Sequence, residues 1–178
     1  PHGLRSLSAC HREQPFRIDV GDLHGQVDYE PAESTTALFG GNSNWRGPVW
    51  FPLNFLVTEA LTRFHRYLGP SFAVQLPTGS DQEVDLAGAA MELSRRLVGI
   101  FLEDAEGRRP VFGGTERFQN DPRWHGLVPF HEYFHGDNGA GLGASHQTGW
   151  TGLVVDLLLR WGEPVLTGAR LPDASSTE

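Results

Sequence analysis

Cysteine is almost absent: Cys10 stands alone among 178 residues, so no internal disulfide can form. That is compatible with a reducing compartment, and the cytoplasm is the expected location. The same scarcity removes thiolate ligands from any metal site. Positive charge is also short, with 14 Lys and Arg against 22 Asp and Glu and a formal net charge of −8. Nucleic acid and anionic membranes reward clustered positive charge, so neither is expected as a partner. No apolar run approaches the length of a membrane span. The start of the chain carries neither a signal pattern nor a methionine, the only one being Met91, and the chain reads as cut from something longer. What remains, 39% hydrophobic residues and no internal repeat, suffices for one domain with a real core and a neutral or cationic small substrate.

Residues 1 to 48 are rich in Gly, Pro, Ser and Asn and read as loops and short strands. From Trp50 to Leu68 the residues Leu53, Val57, Leu61, Phe64 and Leu68 recur at helical steps, which predicts an amphipathic helix stopped by Gly69-Pro70. Ser80 with Glu83 has the spacing of a capping box, and Val84, Ala87, Met91, Leu93, Leu97, Ile100 and Phe101 continue as a second helix. A third is expected from Gln147 to Trp161, with Trp150, Val154, Leu157, Leu158 and Trp161 on its buried side. Between them, residues 107 to 145 form a long, aromatic-rich segment of the kind that carries function. These spacings predict an all-α framework with its chemistry on long loops, and a flexible tail over residues 163–178.

Residues 131 to 151, HEYFHGDNGAGLGASHQTGWT, hold a carboxylate, three histidines and a glycine-rich loop. His131-Glu132-x-x-His135 matches the H-E-x-x-H string of zinc peptidases, which needs both histidines on one helical face. Pro129 before it and Gly136, Gly139, Gly141 and Gly143 after it favour a turn or strand. A third histidine ligand also fails, because Asn138 and Gly141 stand at the positions it would require. The histidines, with His146, are therefore read as hydrogen-bonded imidazoles, His125 as part of the same loop wall, and no metal is expected. Glu132, followed by a Gly-rich turn and a Gly-Trp-Thr helix start, also looks like a sugar-hydrolase base, so either chemistry would use it.

The second dense cluster is Trp45-Arg46-Gly47-Pro48-Val49-Trp50. A tryptophan face stacks on the C–H face of a sugar ring, and arginine offers a rigid fork of donors. Trp45 and Arg46, beside Asn42, Ser43 and Asn44, are read as site residues, and Trp50 as the first buried residue of its helix.

Three segments in order, GGNSNWRGPVWFPLNFL at 40 to 56, GRRPVFGG at 107 to 114 and FHEYFHGDNGAGLGASHQTGWTGLV at 130 to 154, together resemble the C-terminal part of glycoside hydrolase family 63. That family includes the processing α-glucosidase I and bacterial relatives acting on glucosides and on mannosyl- or glucosylglycerate. The resemblance covers most of residues 4 to 161. It implies the C-terminal portion of an α/α toroid, a six-hairpin barrel, over residues 1–162, with an inverting mechanism, an oligosaccharide or small glycoside as substrate, no cofactor, and the remaining N-terminal part of the toroid as partner. It implies Glu132 as general base, with a second carboxylic acid about 6.5–9.5 Å away to protonate the leaving oxygen. Tyr133, His135, Gln147 and Trp150 join Trp45 and Arg46 as substrate-binding residues or pocket wall, and Asp137 and His131 as groups that orient Glu132 or sugar hydroxyls. None of Asp19, Asp22 or Asp28 sits in a motif matching the family's acid, which is expected upstream of Pro1. His135 and Gly136 stand where the processing glucosidases are more acidic, which favours the bacterial branch. The rival readings are a non-catalytic carbohydrate-binding or scaffold domain and a zinc hydrolase.

Overall fold

A computed structural model describes residues 2–36, 44–146 and 148–167. Its architecture is mixed α/β: helices accompanied by three separate two-stranded antiparallel sheets. This overturns the expected all-α framework and the toroid portion drawn from the resemblance. The reason lies in short extended runs joined by glycine turns, which helical periodicity does not detect. β1 (Phe16–Val20) pairs with β2 (Leu23–Val27) across Gly21, whose φ of +60° suits a two-residue hairpin turn. β3 (Ala73–Gln75) pairs with β4 (Glu83–Asp85), and β5 (Tyr133–Phe134) with β6 (Gly141–Leu142).

The first expected helix forms as α1 (Phe51–Leu68) and ends at Gly69, where φ is +80°. Its orientation is the reverse of the expected one. The stripe containing Leu53, Val57, Phe64 and Leu68 is exposed, while Phe51, Asn54 and Thr58 are buried. The buried polar groups are satisfied along the chain: Thr58 Oγ1 donates to the Asn54 carbonyl at 2.8 Å, and Asn54 Nδ2 donates to the carbonyls of Trp50 at 2.9 Å and Leu4 at 3.0 Å. Hydrogen-bonded in this way, they enter the interior without the penalty of unpaired polar atoms.

The second helix, α2 (Leu86–Val98), begins later than the Ser80 and Glu83 spacing suggested. Asp85 is the N-cap, accepting from the Gly88 N–H at 2.7 Å, whereas Glu83 and Val84 belong to β4. Ile100 and Phe101 lie past the helix end but are still buried. The long segment after Gly107 contains a short helix, α3 (Glu116–Asn120), besides β5 and β6. The single third helix is broken at Gly152 into α4 (Thr148–Thr151) and α5 (Leu153–Trp161). The segment read as a tail opens with a further turn, α6 (Glu163–Thr167), which buries Val165. Residues 168–178 lie outside the described residues.

The core collects Leu93, Leu97, Phe101, Phe134, Val154 and Leu157 from α2, its C-terminal turn, β5 and α5. Phe134 is central to it, meeting the Phe51 ring at 5.9 Å and Phe101 at 5.6 Å. Val49 exchanges two backbone hydrogen bonds with Phe134, at 2.8 and 3.0 Å, and so joins the residues before α1 to β5. That pairing brings the two dense sequence clusters into contact. Among the described residues no helix is long and apolar enough to cross a membrane.

Candidate active site

Val49 and Phe134 carry their neighbours with them, so Trp50 meets Tyr133. The two rings stack at 4.6 Å with 21° between their planes, and Trp45 stacks on the other face of Trp50 at 4.2 Å and 1°. Trp150 meets Trp50 edge-on at 6.1 Å. Trp50 is fixed by its indole N–H, which donates to the Asn44 carbonyl at 3.0 Å. The stack grades from inside to outside: Tyr133 is 1% exposed and Trp45 is 42% exposed. Only its outer member offers a broad apolar face to solvent.

Glu132 directly precedes Tyr133, the inner member of this stack, on a non-helical bend just before β5. The helix required by the zinc-peptidase geometry does not form, because residues 133 and 134 are strand β5. Among the described residues no group of three or more His, Cys, Asp or Glu side chains is arranged to hold a metal. The backbone of Glu132 is held on two sides: its N–H donates to the Ala144 carbonyl at 2.9 Å, and its carbonyl accepts the Trp150 indole N–H at 2.9 Å. One residue earlier, the His131 carbonyl accepts the Thr151 hydroxyl at 2.6 Å. Consecutive residues of α4 thus clamp the two consecutive carbonyls that lead into β5.

The carboxylate of Glu132 receives the Ala144 N–H on Oε2 at 3.4 Å, a long bond. Gly143 makes this geometry possible. A Cβ there would fall 2.7 Å from Glu132 Oε2 and 2.9 Å from Tyr133 Cε1, and its φ of +67° already favours glycine. The Glu132 carboxylate and the edge of the Tyr133 ring thus both border the space that the missing side chain of Gly143 leaves. The Tyr133 hydroxyl is pushed up to about 12, by burial first and then by the negative charges of Glu33 and Glu132.

The other expected site residues divide. Trp45 keeps an exposed ring. Arg46 does not reach outward: it is 2% exposed, and its Nη2 donates to Glu30 Oε2 at 2.5 Å, Ser34 Oγ at 2.8 Å and Thr36 Oγ1 at 3.1 Å. Through Nη2 the guanidinium holds the Glu30 to Thr36 loop. Tyr133 is buried as the inner floor of the stack, and Trp150 uses its only donor on Glu132. Gln147 lies outside the described residues.

His135 and Asp137 belong to a second cluster. Asp137 accepts from Arg12 at 2.5 Å, the Tyr29 hydroxyl at 2.7 Å and Arg5 at 3.3 Å, and its N–H donates to His135 Nδ1 at 3.1 Å. Burial alone would raise the Asp137 carboxyl, but the Tyr29 hydrogen bond and the charges of Arg12 and Arg5 outweigh it and hold it below its usual range. Burial lowers His135 and His131, and His2, in the same neighbourhood, is lowered to about 4 by burial first and then by the positive charges of the chain's amino group, Arg5 and His135. The His131 ring lies over Gly141, where a Cβ would come within 2.1 Å of it. His125 stands apart, 3.4 Å from Glu103. His146 is exposed.

Gly143, Asn44 and Thr151 were noted in the sequence only for their turn, loop or helix-start character, and Glu33 not at all. Gly143 carried a signal, as one of several glycines directly after the candidate carboxylate. The others are ordinary polar residues whose roles arise only from the pairing of distant loops.

No family model matches the chain. It is similar to the Saccharomyces cerevisiae protein called "Uncharacterized protein YMR196W", with 47% identity over 175 residues, 97% of this chain and 16% of that protein. It is also similar to Mannosyl-oligosaccharide glucosidase of Saccharomyces cerevisiae, with 28% identity over 124 residues, 69% of this chain and 12% of that enzyme. The chain thus spans less than a fifth of either relative. The second similarity agrees with the resemblance to family 63 read from the three motifs.

Proposed function

We propose that this chain carries the water-activating part of a glycosidase site that cleaves an α-glycosidic bond with inversion. Glu132 is the general base, and Trp45 is the face against which a sugar ring packs. The observation that carries the reading is a carboxylate with restrained backbone at the edge of a three-ring aromatic stack whose outer ring is open. The similarity to a glucosidase over 69% of the chain supports the choice of substrate class.

The chemistry follows from these groups. An ionised carboxylate can only accept hydrogen bonds, so Glu132 would take a proton from a water molecule as that water attacks the anomeric carbon. The C–O bond to the leaving group breaks on the opposite side of the ring, and a second carboxylic acid, about 6.5–9.5 Å from the base, protonates the departing oxygen. Stacking on Trp45 holds the ring by its C–H face while leaving its hydroxyls to polar partners. Trp150, Thr151 and Gly143 act on Glu132 rather than on the sugar: they fix the strand and leave room for the carboxylate.

The stereochemistry of the product tests this reading. Proton NMR of the full-length protein acting on an α-glucoside should show the β-anomer of free glucose first, before mutarotation. Initial release of the α-anomer would mean a covalent intermediate and a different role for Glu132.

A further inference from the structure

The Val49–Phe134 pairing joins the two arms of the candidate site at one point, but Trp45 lies four residues before Val49 and Glu132 two before Phe134. A single attachment leaves a segment free to pivot, and a second one fixes its direction. The second is built around Tyr29, which is 6% exposed. On one side, a Cβ at Gly47 would fall 2.7 Å from Tyr29 Cε2 and 2.5 Å from the Glu30 carbonyl oxygen. On the other, a Cβ at Gly136 would fall 2.8 Å from the Tyr29 hydroxyl oxygen and would run into the Gly47 carbonyl oxygen. The Tyr29 side chain thus takes up the room that two glycines leave, one on each arm.

Hydrogen bonds tie the same residue to both arms. The Glu30 N–H, next to Tyr29, donates to the carbonyl of Arg46 at 2.8 Å, the residue directly after Trp45. On the other arm, the Pro31 carbonyl accepts the Gly136 N–H at 2.9 Å, and the Tyr29 hydroxyl donates to Asp137 Oδ1 at 2.7 Å. Gly136 and Asp137 belong to the segment that leaves β5. The Arg12 guanidinium closes over the ring, 4.9 Å from its centroid. Burial first, and then the hydrogen bond to Asp137, push the Tyr29 hydroxyl up to about 12, so it remains a donor at neutral pH.

We propose that Tyr29 is a positioning residue for hydrolysis: its ring, packed between Gly47 and Gly136 and anchored on Asp137, sets the placement of the Trp45 loop relative to the Glu132 segment. This rests on the glycosidase reading and adds to it a residue that acts on neither the sugar nor the water. Hydrolysis needs the sugar on Trp45 and the water on Glu132 in one geometry, with the anomeric carbon between them. Packing on Trp45 tolerates a small displacement of the loop, because apolar burial is non-directional. Bond formation does not, since the reacting atoms must approach to about 3–3.5 Å with their orbitals aligned. Loosening Tyr29 therefore acts on turnover before it acts on binding.

The test is steady-state hydrolysis of p-nitrophenyl α-glucoside by the full-length protein, for the wild type, Tyr29→Phe, Trp45→Ala and the double variant, at a temperature where melting curves show all four folded. Phenylalanine keeps the ring and loses only the anchor on Asp137. In Tyr29→Phe, kcat should fall roughly tenfold while KM stays within about twofold. In the Trp45→Ala background the same substitution should change kcat by less than about twofold, because the face it aligns is gone. If the wild type is active and Tyr29→Phe keeps its kcat, whatever its melting temperature, this inference alone is overturned and the residue only supports the fold. Equal losses of kcat in the two backgrounds overturn it as well, since Tyr29 would then act independently of Trp45. A wild type that cleaves no α-glucoside overturns the glycosidase reading together with it.

Discussion

Two adjacent residues illustrate how differently neighbours in one motif can serve. Trp45 and Arg46 both read as ligand contacts on a polar loop. Arg46 instead sits in the interior with Glu30 as counter-charge. Removing one partner of such a pair leaves the other uncompensated, so Arg46→Ala should cost about 3–5 kcal/mol. Trp45→Ala gives up one stacking contact and should cost no more than about 1.5 kcal/mol while weakening sugar binding. Urea denaturation of the two variants separates them, and equal stabilities would mean that the Arg46 pair is not formed. At Gly143 the methyl of alanine meets both a left-handed backbone, worth about 1–2 kcal/mol, and the Glu132 carboxylate. Displacement of a reacting group by an ångström can cost about a hundredfold in rate, so Gly143→Ala should lose far more activity than stability. A variant with normal turnover and a lowered melting temperature would remove Gly143 from the site.

At the scale of elements, α1 separates what periodicity reveals from what it hides. Its span and its stop at Gly69 were legible, because a 3.6-residue pattern and a glycine do not depend on neighbours. Its facing was not legible. The side turned to the rest of the chain contains Asn54 and Thr58, made tolerable by hydrogen bonds along the helix, while Leu56, Phe64 and Tyr67 face outward. Thr58→Leu should therefore overpack the interior and destabilise by about 1–3 kcal/mol. Phe64→Gln should stay within about 0.5 kcal/mol despite removing an aromatic ring. Chemical denaturation gives both numbers, and the reverse order would restore the orientation expected from the sequence. The strands were missed for a related reason: Tyr133-Phe134 and Gly141-Leu142 are too short for an alternating pattern, and only their pairing defines them. For the site, the contact between the tryptophan cluster and the Glu132 segment depends on Val49 pairing with Phe134, residues distant in sequence.

Across the whole molecule, the cluster around Asp137 ties the first residues of the chain to the loop after β5, and it should set the response to acid. His2, His131 and His135 all have lowered pKa values in the folded state, His2 falling from 6.5 to about 4. Between those values the unfolded chain binds protons that the folded chain refuses, so stability present above about pH 6.5 is lost as the pH falls toward 4. Asp137, lowered by Tyr29, Arg12 and Arg5, adds a loss at still lower pH. The melting temperature should drop between about pH 7 and pH 4.5, and His2→Gln should flatten that dependence. A flat or rising profile in the wild type would contradict the burial of these imidazoles. The central claim, that Glu132 activates water beside the aromatic stack, is tested most directly by steady-state hydrolysis of an α-glucoside by the full-length protein and its Glu132→Gln variant. Glutamine keeps the shape but cannot take the proton, so kcat should fall by about 10²–10⁴ with the melting temperature preserved. Near-normal turnover by a correctly folded Glu132→Gln protein would contradict it.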